Sequence, residues 1–401
     1  MRLHDVPGLP AYYLAATLAR VGDEMVGFTL VLLVLARTGS PWLAGGIGAA
    51  YALPAIVTGP LLGAWLDRTA HRRLALATNQ ALLAVIMLAM LAAVGRAPDV
   101  LVLALAAVAG LTLPMVAGGF TSMLPAIVPA PLLTRANAAE AASFGTAAMA
   151  GPAVAATVAA LVSPDAAVLL VVGAAAGSLL ALVGVPPVRP DRDAIHPPVL
   201  AAALDGLRHL FRAPPLRAVT VASTLSLGAS GMLLVTLPLH AVALGSPAAT
   251  SGYVWTALEI GSVGAALLVG RWQDRWRPER TVLLFVAAYG AAMLTWPLAG
   301  SVVVLVGLAL VAGLLNGPMM PAMFGARQVY SPLALQGRVS TSAASLRMAT
   351  HAVGQAVGGA LAPAVPTGAM LAIVACCHLA AAGLGALTLG GRRAEPATIR
   401  S

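Results

Sequence analysis

The sequence predicts an all-α membrane protein with twelve transmembrane helices in two pseudo-symmetric six-helix bundles, and three observations carry that prediction. The first is composition. Of 401 residues, 60% are hydrophobic and only 9% are charged, against about 25% charged in a soluble domain. An aqueous fold of this size has nowhere to hide so much apolar surface, so the bilayer is the expected solvent. The second is a series of apolar runs, each long enough to span. The third is a charged turn that occurs twice: "GAWLDRTAHRR" at 63–73 and "GRWQDRWRPER" at 270–280.

The runs fall near 9–36, 41–66, 74–95, 98–120, 134–161 and 165–186, then near 216–243, 249–271, 281–299, 301–323, 337–362 and 367–390. Each meets the roughly 20 residues a helix needs to cross the hydrocarbon core. Several are separated by only two to five residues, which makes neighbours antiparallel. The first run carries charges at its centre and no small-residue cleavage site follows it, so it reads as a retained span rather than a signal peptide. All 23 basic residues are Arg. With the N-terminus on the cytoplasmic side, nineteen of them fall in inside segments, two (Arg37 and Arg96) outside, and two (Arg20 and Arg347) within spans. That asymmetry predicts cytoplasmic termini and an even number of spans in the cell's inner (plasma) membrane. The net charge of +9 is dispersed as short clusters between apolar runs, so no nucleic-acid partner is expected.

The widest polar break, "PPVRPDRDAIHPP" at 186–198, precedes a stretch in which Leu200, Leu204, Leu207 and Phe211 recur at helical spacing opposite Asp205, Arg208 and Arg212. That pattern predicts a short helix lying in the membrane interface. The chain thus reads as a bundle over 1–187, a linker over 188–215 and a bundle over 216–401. The halves match in register. Gly22 and "GSP" at 39–41 answer Gly228 and "GSP" at 245–247; Gly63, Asp67 and Arg68 answer Gly270, Asp274 and Arg275; Pro129, Arg135 and Gly151 answer Pro332, Arg338 and Gly354. The offsets stay between 203 and 207 residues. Six spans per half put equivalent segments on the same side, so the repeat is parallel.

These residues resemble a transporter of the major facilitator superfamily, over the whole chain. The superfamily's loop between spans two and three is matched by Gly63, Asp67, Arg68, Arg72 and Arg73, with Ala70 and His71 departing from it, and again by Gly270, Asp274, Arg275 and Arg277. The opening segment is similar to the drug, macrolide and siderophore exporter branch. The resemblance implies two halves rocking about a central cavity. Gly63 then permits close helix approach, while Asp67 and Asp274 accept hydrogen bonds from a helix N-terminus or pair with Arg. Gly63, Asp67, Arg68, Gly270, Asp274 and Arg275 are therefore expected to form a conformational latch; for the arginines, a plain topology anchor is the competing reading. Exporters of the superfamily carry Gly-Pro followed by Gly-Gly in span five. Gly151 and Pro152 fit, Ala155 and Ala156 replace the pair, and the corresponding small residues in span eleven are Gly354, Gly358 and Gly359. Ordinary close packing in lipid competes with a sliding seam at these positions.

Charge at membrane depth is the remaining signal. Arg20, Asp23 and Glu24 share one helix face and lie roughly 17–22 Å from the start of span one. Each costs at least about 2.5–3.5 kcal/mol at a helix centre unless paired or hydrated. The resemblance places span one at the cavity, so these three are the proton-coupling candidates. Arg20 is expected to hold one acid as an ion pair and leave the other, Glu24 by preference, to titrate; a structural cluster is the alternative. Glu259 in span eight is an isolated acid. Arg347, His351 and Gln355 form a polar stripe in span eleven that would pair with Glu259 or meet an anion. With Asn316 in span ten, the residues Glu259, Arg347 and His351 are the substrate-cavity candidates. Glu140, one turn beyond Arg135 and Asn137, reads as a helix-start or gate contact, and His240 as structural. Span four lacks the Arg found in many proton-driven exporters of the superfamily.

No phosphate-cradling loop, zinc-ligand cluster or nucleophile elbow occurs, and adjacent Cys376 and Cys377 match no metal spacing. No cofactor or metal is expected, nor an enzyme; an ion gradient is the expected energy source. The sequence-based expectation is a monomeric, proton-coupled exporter of a small amphipathic molecule, its partners being that substrate, protons and lipid. An importer or uniporter of a small metabolite is the alternative within transport, and a receptor or membrane-embedded hydrolase outside it.

Overall fold

The computed structural model describes residues 5–69, 71–187, 199–273, 276–332 and 335–389. Fifteen α-helices occur among them: α1 (Leu9–Thr38), α2 (Pro41–Arg68), α3 (Arg72–Ala93), α4 (Asp99–Gly110), α5 (Phe120–Ile127), α6 (Leu133–Leu161), α7 (Pro164–Leu182), α8 (Val199–Arg212), α9 (Pro214–Ala243), α10 (Ser251–Gln273), α11 (Pro278–Met293), α12 (Val302–Asn316), α13 (Met319–Tyr330), α14 (Gln336–Leu361) and α15 (Thr367–Leu389). Pairing α4 with α5 and α12 with α13 as interrupted passes gives twelve passes; α8 is the extra, amphipathic helix.

Local chemistry sets the boundaries. The "GSP" turn works residue by residue: Gly39 takes φ 65° and ends α1, Ser40 accepts a hydrogen bond from Leu43 N, and Pro41 starts α2. Ser163 and Ser301 cap α7 and α12 in the same way. The interruptions were not expected from the apolar runs. A π-turn over Met115–Gly119 follows Pro114 in the fourth pass, and Gly317–Pro318 breaks the tenth, so both passes extend beyond the predicted 98–120 and 301–323, to Ile127 and Tyr330. Proline supplies no backbone donor and forces the ladder to reset.

Among the described residues, seven helical stretches are long and apolar enough to cross a membrane by length and composition alone. Among the passes that fall short are α1, α10 and α14, the three that carry charge in mid-pass. Large apolar side chains point outward, Leu298, Val303 and Leu387 being 80% or more exposed, as a bilayer-facing surface requires.

The chain divides into two compact units, 1–196 and 197–401. In the first, α1 is central, packed on α6, α7 and α2, while α3 packs on α7 and α2 on α4. In the second, α9 is central, packed on α14 and α15, while α11 packs on α15 and α10 on α12. The pairing is the same in each unit. Close approach depends on missing side chains: a Cβ on Gly110 would overlap the Tyr51 carbonyl, and one on Gly313 the Leu258 carbonyl, at matching seams. Helix α8 belongs to the second unit. Gly206 lies against α14, where a Cβ would come within 2.6 Å of Ser342 Oγ, and Arg338 reaches Asp205 at 3.4 Å. Leu210 is buried, whereas Leu204, Leu207 and Phe211 are exposed.

Candidate functional site

In the first unit, polar chemistry concentrates on α1. Arg20 is almost fully buried. Its guanidinium pairs with Glu140 of α6, donates to Ser143 Oγ at 2.9 Å and covers the Phe144 ring at 3.8 Å. The same Glu140 oxygen accepts from Tyr12 Oη at 3.0 Å and Thr121 Oγ1 at 2.9 Å. Tyr12 also reaches the Phe120 carbonyl, at 2.9 Å. Three passes are thereby tied at one buried carboxylate.

That arrangement corrects two expectations. Arg20 does not pair with Asp23 or Glu24, and Glu140 is a core ion-pair partner rather than a helix-start or gate contact. The reason is geometric. Glu140 reaches Arg20 from neighbouring α6, while Asp23 is engaged by Tyr51 of α2 and Glu24 lies against Gly151 of α6. Asp23 is held instead by Tyr51 of α2, whose hydroxyl donates to Oδ1 at 2.7 Å. Glu24 is exposed, and its Cβ lies where a Cβ on Gly151 would come within 2.7 Å. Gly151 is thus the close-approach point between α6 and α1. Pro152 sits inside α6, which continues through it.

At one end of this unit Arg37 donates to Asp165 Oδ2 at 2.9 Å and to the Val94 carbonyl at 3.1 Å, clipping the ends of α1, α3 and α7 together. Toward the other end Arg73 donates to the Val185 carbonyl at 3.1 Å and Arg72 to the Leu66 carbonyl at 3.0 Å. Gly63, Asp67 and Arg68 lie in α2 and Gly270 in α10, but their side chains, together with Asp274 and Arg275, fall outside the described residues.

In the second unit the seam between α9 and α14 brings the predicted glycines into contact. A Cβ on Gly354 would overlap the Gly228 carbonyl, and one on Gly358 would come within 2.9 Å of Met232 Cα. Gly359 is buried in the same helix. Along α14, Arg347 meets only the Met320 sulfur, at 3.7 Å, and its buried Nε has no partner. His351 Nδ1 lies 3.1 Å from the Leu227 carbonyl, and Gln355 is buried with Oε1 unpartnered. Of the two alternatives for this stripe, a pair with Glu259 or an anion, no Arg347–Glu259 ion pair occurs among the described residues. Asn316 is the half-buried last residue of α12, at the break, and His240 Nδ1 lies 2.9 Å from Thr367 Oγ1, a structural contact.

Sequence reasoning missed His378. It is fully buried in α15, with Nδ1 2.8 Å from Ser226 Oγ, Nε2 3.5 Å from Ser230 Oγ, and its ring edge-on to Tyr289 at 4.8 Å. Ser226 and Ser230 of α9, Tyr289 of α11 and His378 of α15 thus share a polar cluster. The only signal for it was a lone His in an apolar run. No group of three or more His, Cys, Asp or Glu that would hold a metal occurs among the described residues.

Comparison with known proteins gives the arrangement a context. A family model described as Major Facilitator Superfamily matches residues 12–359. The MFS-type transporter y4rN of Sinorhizobium fredii is 32% identical over 368 residues, 89% of each chain. The multidrug efflux pump Tap of Mycolicibacterium fortuitum is 28% identical over 367 residues, 87% of this chain and 88% of its own. Among solved structures, the nucleoside transporter NupG superposes with a TM-score of 0.78 at 11% identity, covering 95% of this chain and 99% of that one. An auto-inhibited peptide transporter of the POT family gives 0.73 at 11%, covering 98% and 99%.

Proposed function

This chain belongs to the Major Facilitator Superfamily, and on that premise we propose that it exports a small amphipathic molecule by proton antiport and alternating access. Its membership makes it a transporter of small molecules rather than an enzyme. The observation that carries the finer reading is that Arg20 has its own carboxylate in Glu140. Asp23 and Glu24 therefore share one turn of α1, deep in a membrane pass, with no cation beside them among the described residues. Two adjacent carboxylates in that setting cannot both hold their charge cheaply, so a proton shared with the medium is the natural relief. Tyr51 fixes Asp23; Glu24 is exposed and is assigned as the titrating acid. Export is supported by the likeness to a multidrug efflux pump.

In this reading both termini face the cytoplasm in the plasma membrane and the protein works as a monomer, powered by the proton gradient without a cofactor. The duplicated turn at Gly63, Asp67 and Arg68, and at Gly270, Asp274 and Arg275, acts as the latch. The tight Gly151 and Gly354 contacts are the surfaces along which helices slide.

The test is a panel of toxic compounds applied to expressing cells, followed by pH-driven flux of whichever compound is resisted, in proteoliposomes. Asp23→Asn and Glu24→Gln should each abolish pH-driven flux while leaving binding in place. Flux at the wild-type level in both variants, or substrate movement in the same direction as the protons, would reject proton antiport.

A further inference from the structure

Two arginines of the second unit, Arg327 buried and Arg347 half-buried, have no carboxylate partner among the described residues. Arg347, in mid-pass on α14, touches only a thioether sulfur. Arg327, near the end of α13, is buried and has the Phe324 ring 5.6 Å from its guanidinium carbon. The two guanidinium groups lie within electrostatic reach of each other. Glu279, the acid on adjoining α11, is engaged by the Tyr330 hydroxyl at 2.9 Å. Among the described residues neither arginine has an ion-pair partner. Like charges held together away from water are costly until an anion joins them. The first unit shows what this chain does with an arginine that serves structure: Arg20 receives a carboxylate and a hydroxyl.

The stripe beyond Arg347 has a chemical polarity. His351 Nδ1 faces a backbone carbonyl, which only accepts, so Nδ1 carries the proton and Nε2 is left as an acceptor. Gln355 Oε1 is a second unpartnered acceptor. One face of α14 therefore presents a cation, then two acceptors, at four-residue steps of about 6 Å each.

We propose that Arg347, with Arg327 behind it, binds the carboxylate or phosphate head of an amphipathic substrate, and that His351 and Gln355 accept hydrogen bonds from a donor one or two turns away. This deepens the transport reading by naming its substrate class: an organic anion bearing a hydroxyl or N–H group. An anionic lipid headgroup shares the head-group chemistry and is the other source that must be told apart.

The experiment is equilibrium binding to the full-length protein in nanodiscs without a pH gradient. The probe is 6-hydroxy-2-naphthoate; its comparison is the same ring system with an aminomethyl group in place of the carboxylate. The anion should bind at least about tenfold tighter than the cation. Arg347→Gln should weaken the anion by about tenfold to a hundredfold, with Arg347→Lys intermediate. Arg208→Gln, on the exposed face of α8, should leave affinity unchanged. Equal binding of the two probes to the wild type overturns the site even if a variant fails to fold, and so does an unchanged anion affinity in folded Arg347→Gln. Nanodiscs of phosphatidylcholine and of phosphatidylglycerol separate the sources: competition by the anionic lipid assigns the site to a headgroup, and equal affinity assigns it to a free anion. Because no gradient is applied, failure here leaves the Asp23 and Glu24 test standing, and failure of that test leaves this one.

Discussion

The two units treat an arginine in mid-pass in opposite ways, one fully buried and one half-buried. In the first unit Arg20 is closed off: Glu140, Ser143 and the Phe144 ring surround it, and Tyr12 and Thr121 join it at one carboxylate oxygen, with Arg20 Nε and Glu140 Oε2 left unpartnered. In the second, Arg347 meets the Met320 sulfur and its Nε has no partner. The pairing of helices is alike in the two units, so the difference lies in side chains, not architecture. The same helix pairing thus carries a closed ion pair in one unit and an arginine without an ion-pair partner among the described residues in the other. Charge in a membrane is thus informative only once its partner is known.

The comparison breaks most readily at Glu140. Glu140→Ala leaves Arg20 buried without a counter-charge and should cost about 3–5 kcal/mol of stability, read as denaturant or thermal unfolding in detergent; a loss below about 1 kcal/mol would show the network is not an anchor. Next comes the α9–α14 seam. Gly354→Ala forces a methyl group into the Gly228 carbonyl and should cost about 1–3 kcal/mol, and wild-type stability would mean that the helices are further apart than described. Tyr51→Phe removes the hydroxyl from Asp23, a hydrogen bond to a charged group worth about 1.5–3 kcal/mol when the acid is ionised. It should shift the pH midpoint of transport with less effect on unfolding, and an unmoved midpoint argues against Asp23 in coupling. Arg37→Gln opens a partly solvated clip and should cost only about 0.2–1 kcal/mol. The smallest effect sharpens the contrast: Arg347→Gln, which removes a charge without a partner, should leave ligand-free stability unchanged or slightly raised, where Arg20→Gln lowers it.

Much of the architecture was legible in the sequence because its causes are local or periodic. Apolar run length, the Gly-Ser-Pro turn and the paired offsets of Gly22, Gly151 and Gly354 each follow from bilayer thickness, capping or duplication. The broken passes were legible only in part. Pro114 and Pro318 stand 204 residues apart, but hydropathy averages over a proline and so concealed them. The polar residues were found as residues and misassigned as pairs. Helical spacing placed Arg20, Asp23 and Glu24 on one face, yet the partner of Arg20 comes from a helix 120 residues away, and no periodicity encodes that. His378 escaped notice for a related reason, since a single polar residue in an apolar run gains meaning only from Ser226, Ser230 and Tyr289, which three-dimensional packing brings to it.

The interrupted fourth and tenth passes bear on how such a molecule moves. An unbroken helix is a stiff rod, and tilting one end swings the other. With elbows at Pro114 and Gly317–Pro318, each of these passes is two short rods; α4 and α13 have 12 residues apiece, about 18 Å. The portion near one leaflet can lean while the portion near the other stays seated. An opening on one face of the bilayer then need not be mirrored by a closing of equal size across the same pass.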